Sequence, residues 1–294
     1  MKTIYTERKN KYIEYFQRDD MILDIQTTTR FWRTSQILSA EIITEDSGMA
    51  RCIRFMAEKE ADEYDILLEL SALIRKTDHI YTFNGRSFDL PHLKKKYEAY
   101  RIKSPFDSSS HTDLLWELKK YDSYLSLPSH RLTDYYALVS LEPFPDSEVW
   151  AAYEILPLLS LRSFTEGNFN VREIRTTDSG SAVCFVLDCD LPCRIYAETE
   201  FFEISGDREK GTITAKLDHG NLRMYHTDYS NYVFLPLEGY AVHKTLASYI
   251  ASSRKVAADR ESCYSFIPFH KKFTENPENV KKYLLSVLRF ISES

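Results

Sequence analysis

A short apolar run, His79-Ile80-Tyr81-Thr82-Phe83, breaks into Asn84-Gly85-Arg86-Ser87-Phe88-Asp89-Leu90-Pro91. No other phrase constrains the fold as much. The run has the length and composition of a strand, and Gly85 permits a tight turn after it. Pro91 suits the first turn of a helix, where its missing N–H leaves no bond unmade, so a helix is expected from Pro91 to Tyr100. Asp89 falls at this junction. Its carboxylate either caps the helix or faces a cleft beside the strand end.

A second acidic strand end favours the cleft. Met21-Ile22-Leu23-Asp24-Ile25-Gln26-Thr27-Thr28 reads as a buried-type strand, and strand alternation puts Asp24 and Gln26 on one face. Joined by Asp89 from another element, these groups are the oxygen donors a hard divalent cation takes. Mg2+ prefers a few carboxylates supplemented by water and substrate phosphate oxygens. Two such ions about 4 Å apart activate a water and stabilise the leaving oxygen of a phosphodiester.

The phrases "LDIQTTT" and "YTFNGRSFDLPHL" resemble the first and second motifs of the DnaQ-like (DEDD) 3′–5′ exonucleases of the ribonuclease H-like superfamily. The YprB-like group of bacterial ribonuclease H-like proteins is the most similar flavour. His111-Thr112-Asp113-Leu114-Leu115 looks like that group's strand carrying an Asp, and Glu166-Gly167-Asn168-Phe169 like the exit from its nuclease domain. The stretch from Tyr225 to Pro236, with Ala241-Val242-His243-Lys244, resembles a carboxy-terminal extension of some members. The resemblance implies catalytic positions at Asp24, Gln26, Asp89 and Glu148, metal ligation by Asp24, Asp89 and Glu148, and Mg2+ or Mn2+ as cofactor. It implies a nucleic-acid partner, single-stranded or offering a 3′ end, contacted by Asn84, Lys94 and Lys95.

The departures bear on activity. The family's first motif reads Asp-x-Glu, whereas this chain has Asp24-Ile25-Gln26. A Gln oxygen coordinates a metal but brings no negative charge and takes up no proton. The last acidic motif sets an Asp four residues after a His or Tyr. Here Glu148 stands in the acidic place and Phe144 in the other, and Phe neither orients nor deprotonates water. The segment from Leu132 to Pro145 is also short against the family pattern. One reading is a weakened metal-dependent exonuclease acting on DNA or RNA. Another is an inactive relative that binds nucleic acid or a protein partner. A third leaves the fold only as a scaffold for the carboxy-terminal domain.

Composition narrows the setting. With 43% hydrophobic and 28% charged residues the chain reads as an ordinary globular protein. Its apolar runs fall short of the roughly 18 residues that span a membrane, and the first residues lead into charge, so the cytoplasm is expected. The five cysteines have no CxxC pair; Cys184, Cys189 and Cys193 lie close together without zinc-site spacing and read as reduced thiols. A net charge of −6 argues against a generally basic nucleic-acid binder. Lys94-Lys95-Lys96, with Arg101 and Lys103, offers a local basic track or a solvated helix face.

The pattern of elements predicts an α/β fold: a ribonuclease H-like mixed sheet flanked by helices, then a smaller β-rich α+β domain. Residues 1–20 are expected as a loose lead-in or short helix, 21–168 as the ribonuclease H-like domain and 169–294 as the β-rich domain ending in helices. Strands are expected at Met21 to Gln26, Ser39 to Thr44 and Ala50 to Met56, the last two joined by a turn at Glu45-Asp46-Ser47-Gly48. Helical spacing marks Glu60 to Arg75, Trp150 to Phe164, Tyr240 to Ile250 and Val280 to Ile291. His243 and Lys244 then fall near a helix start, and His92 is a candidate neighbour of Asp89.

Overall fold

The computed structural model describes residues 1–293. Contacts divide the chain into two units, one of residues 1–119 and 127–159, the other of residues 120–126 and 160–293.

The first unit is built on a six-stranded mixed sheet. Its strands are β1 (Lys2–Lys9), β2 (Asp20–Thr27), β3 (Ile37–Asp46), β4 (Met49–Met56), β5 (His79–Thr82) and β6 (Ser110–Asp113), ordered β1-β4-β3-β2-β5-β6. Neighbours from β1 to β2 run antiparallel, whereas β5 and β6 run parallel to β2. The β3–β4 hairpin turns at Ser47 and Gly48, both at positive φ, as a tight hairpin requires. Helix α1 (Asp62–Ile74) connects β4 to β5, and α2 (Asp89–Ala99) leads from β5 towards β6.

Side-chain alternation explains the layering. Met21, Leu23 and Ile25 leave one face of β2 and pack with Ala40, Ile42, Phe55 and Ile80 against Ile66, Leu67, Leu70 and Ile74 of α1 and Leu93 and Tyr97 of α2. Burying each large aliphatic side chain contributes about 1.5–3 kcal/mol. The other face of β2 carries Ile22, Asp24 and Gln26, in register with Ile43, Glu41 and Ser39 of β3. Short helices come after β6: α3 (Leu114–Leu118), α4 (Asp122–Leu125, grouped with the second unit), α5 (Leu132–Val139) and α6 (Glu148–Glu154). Helix α6 packs on β2 and β3.

The second unit holds α7 (Leu161–Thr165) and an antiparallel sheet of β7 (Phe169–Thr176), β8 (Ala182–Cys189), β9 (Ile195–Glu198), β10 (Phe202–Asp207) and β11 (Lys210–Lys216), ordered β7-β8-β11-β10-β9. Smaller sheets pair β12 (Asn221–Tyr225) with β16 (Tyr264–Pro268), and β13 (Tyr232–Leu235) with β14 (Tyr240–His243) and β15 (Val256–Ala257). Helices α8 (Lys271–Thr274) and α9 (Pro277–Ser292) end the described chain. Among the described residues no helix is long and apolar enough to cross a membrane.

Several expectations need correction. Residues 1–20 are not a loose lead-in or short helix, because β1 pairs along its whole length with β4. The helix expected from Trp150 to Phe164 is broken into α6, a 3-10 turn at Leu156–Ser160 and α7, because Pro157 has no N–H to continue the ladder. Contacts divide the chain there, at residues 159–160, ahead of the boundary expected at 168. Tyr240 to Ile250 is strand β14 and a 3-10 turn rather than a helix, so His243 closes a strand. All five cysteines are free.

Candidate functional site

The turn after β5 is held by one carboxylate. Asp113, the last residue of β6, accepts from the backbone N–H of Asn84 at 2.9 Å and of Arg86 at 2.8 Å, and from Leu115 N–H at 3.1 Å. Asn84 sits at φ +63°, a left-handed conformation Asn tolerates better than most residues. At Gly85 a β-carbon would lie 2.4 Å from Thr82 Oγ1, so only glycine fits without displacement. This fixed turn makes Asp89 the first residue of α2.

Asp89 does not cap its own helix. The capping position is Phe88, which makes no side-chain cap bond. Asp89 Oδ1 instead accepts from the backbone N–H of Ile25 at 3.0 Å. The reason lies in the sheet: parallel pairing of β2 with β5 stops at Ile22, leaving Ile25 N–H beyond the ladder. Buried backbone donors demand a partner, and the carboxylate provides it. Asp24 and Asp89 are thereby brought to the same end of β2.

Their charges interact. Burial is the main cause that pushes the Asp24 carboxyl up to about 8, and the charges of Asp89, Glu148 and Glu41 add to it. Burial likewise pushes Asp89 up to about 7, opposed by the Ile25 N–H and reinforced by Glu148 and Asp113. Glu148 is exposed at the first position of α6. Gln26 is exposed, and its Oε1 accepts from Ser39 Oγ at 3.4 Å.

Hard carboxylate oxygens that raise one another's proton affinity are the donor type a divalent cation suits, since a bound dication would relieve the repulsion. Among the described residues no three His, Cys, Asp or Glu side chains already stand in metal-holding geometry. The donor chemistry therefore fits Mg2+ or Mn2+, with Asp89 buried and Asp24 half-buried as the donors.

The other expected residues distribute unevenly. Asn84 and Lys94 are exposed, and Lys95 pairs with Glu98 at 3.0 Å. Lys96 is not part of a basic track. It is 6% exposed and pairs with Glu63 at 2.9 Å, tying α2 to α1. His92 is buried against Ser35 Oγ at 2.9 Å. Phe144 packs edge-on against Tyr136. Sequence reasoning missed Glu41, which is 2% exposed and in register with Asp24. A lone Glu inside the apolar run Ala40-Glu41-Ile42-Ile43 was the available signal.

Residues 21–144, less than half of the chain, match a family model described as the RNase_H superfamily. Comparison with curated proteins finds no sequence relative. Among solved structures, the chain is similar to the family B DNA polymerase of the archaeon Pyrobaculum calidifontis at 14% identity and TM-score 0.35, covering 50% of this chain and 24% of that one. It is similar to E. coli exonuclease I with a dA16 oligonucleotide at 14% identity and TM-score 0.40, covering 92% and 74%. The same enzyme with a dT13 oligonucleotide gives 13% identity and TM-score 0.38, covering 94% and 71%. Likenesses this loose transfer neither a site nor an activity. Taken with four antiparallel strands followed by two parallel ones between α-helical layers, the family match gives the amino-terminal unit a ribonuclease H-like fold.

Proposed function

We propose that this protein is a 3′–5′ exonuclease-type phosphodiesterase acting on DNA or RNA, weakened at its first motif. What supports the reading is geometry: Asp89 bonds the N–H of Ile25, the neighbour of Asp24 on β2, and α6, which begins at Glu148, packs on β2. Asp24 and Asp89 would hold Mg2+ or Mn2+, with Glu148 the exposed third carboxylate. Bound there, a divalent ion supplies an activated water and charge stabilisation for the leaving oxygen. Asp89 is oriented by Ile25 N–H, which bonds its Oδ1. Gln26 contributes an oxygen but no charge, and Phe144 offers no hydroxyl or imidazole to place water. Asn84 and Lys94, exposed near the start of α2, would meet the nucleic-acid backbone, with Lys95 shared between it and Glu98.

A second reading, an inactive relative that binds nucleic acid or a protein partner, is favoured by the neutral Gln26 and the absence of a closed carboxylate cluster among the described residues. Calorimetric titration of Mn2+ into wild type and Asp24→Asn separates the two. Metal binding lost in the variant, with slow cleavage of 3′-labelled single-stranded DNA or RNA that EDTA stops, supports the exonuclease. Wild type that takes up no Mn2+ and cleaves nothing establishes the second reading. EDTA-resistant cleavage contradicts the metal mechanism.

A further inference from the structure

We propose that Ser147 and Glu41 are positioning residues: their buried hydrogen bond fixes the start of α6 and so places Glu148 beside Asp24. The inference rests on the metal-site reading above. Glu41 projects from β3 on the face that carries Asp24, with Arg54 of β4 in register on its other side. A carboxylate this buried needs partners for both oxygens. Arg54 Nε pairs with Oε1, and Ser147 Oγ donates to Oε2 at 2.5 Å. Arg54 Nη2 also donates to the carbonyl of Asp146 at 3.3 Å. The two residues immediately before Glu148 are thus tied to the central strands.

Ser147 holds the capping position of α6, where a serine oxygen ordinarily accepts an N–H from the first turn. Its side chain makes no such bond. The hydroxyl serves Glu41 instead of its own helix. Two residues beyond Glu148, Trp150 Nε1 donates to Thr6 Oγ1 at 3.3 Å and Arg8 lies 4.3 Å over the indole ring. The backbone of Glu148 is therefore gripped on both sides while its side chain stays exposed.

Ser147→Ala is the decisive change because it alters no charge. Mn2+ affinity of the full chain is measured by calorimetry, and exchange of the Ala151 amide, which donates to the Ser147 carbonyl at 3.2 Å, is followed without metal. Ser147→Ala should weaken Mn2+ binding by about 10–100-fold, as loss of an orienting partner does, and speed that exchange. Ser147→Thr keeps the hydroxyl and should restore both. Wild type that binds no Mn2+ overturns the metal site and the positioning role together. Ser147→Ala binding Mn2+ as tightly as a binding-competent wild type overturns the positioning role alone. A Ser147→Thr variant as weak as Ser147→Ala overturns it too, because the loss then belongs to the helix start and not to the hydroxyl.

Discussion

Replacing Asp24 with Asn should stabilise the metal-free protein, and the gain should depend on pH. The Asp24 carboxyl is held at about 8 against an ordinary 3.8. Below about pH 4 both the folded and the unfolded chain keep the proton, and the substitution changes little. Between about pH 4 and 8 the native state retains a proton that the unfolded chain has released, so wild type loses stability as pH rises. Each unit of that interval lowers it by about 1.4 kcal/mol. Because Asp89 titrates nearby and shares the burden, the expected difference at pH 7 is on the order of 2–4 kcal/mol. Asn mimics the neutral carboxyl and never ionises, so it escapes the loss. Urea unfolding in EDTA from about pH 4.5 to 8.5 should show the two curves diverging, then running parallel above about pH 8. Saturating Mn2+ should close the gap, adding about 2.7 kcal/mol to wild type at a hundred times the dissociation constant, about 4.1 at a thousand times, and nothing to the variant. A stability gap that stays constant with pH would refute the electrostatic account of this cluster.

Gln26→Glu should strengthen Mn2+ binding and raise hydrolysis of single-stranded substrates by an order of magnitude, about 1.4 kcal/mol in the barrier; unchanged calorimetry and rates would place the defect elsewhere. Gly85→Ala forces a β-carbon onto Thr82 and should cost about 1–3 kcal/mol in urea unfolding, whereas a neutral result would mean the turn relaxes freely. Asp113→Asn surrenders one of the carboxylate's bonds to the Asn84 and Arg86 N–H groups and should lose about 2 kcal/mol, with faster exchange at the amide left without an acceptor as the check.

Much of the amino-terminal unit was legible in the chain because its strands are apolar on at least one face. β2, β3, β4 and β5 all announce themselves by burial, and the turn at Ser47-Gly48 fixes one pairing. β1 was not legible. Lys2-Thr3-Ile4-Tyr5-Thr6-Glu7-Arg8-Lys9 is exposed or half-exposed throughout, so no alternation betrays it. Its strand conformation comes from β4, a partner distant in sequence. Tyr240 to His243 misled for a related reason: four residues are too few to distinguish a strand from a helical turn, and pairing with β13 decides the outcome. At the site, Asp24 was visible as a carboxylate within an apolar strand and Asp89 as one at a strand-to-helix junction. The link from Asp89 to Ile25 N–H was not, because it depends on where the β2–β5 ladder stops. Nor could the sequence tell that Lys96, in a run of three lysines, turns inward to Glu63.

The place of β1 decides how small a working piece of this protein can be. Residues 21–144, the stretch that family comparison recognises, leave out both β1 and α6. A chain trimmed to that stretch would turn β4 from an interior strand into a bare border with eight unpaired positions, an invitation to stick to another copy. β1 carries Lys2, Glu7, Arg8 and Lys9 at that border, and such charges discourage this kind of association. The same cut would discard Thr6 and Arg8, their partner Trp150, and Glu148 itself. The recognisable segment is thus narrower than the folded sheet with the proposed site, and a minimal version that keeps both must include its outermost strand and run past α6.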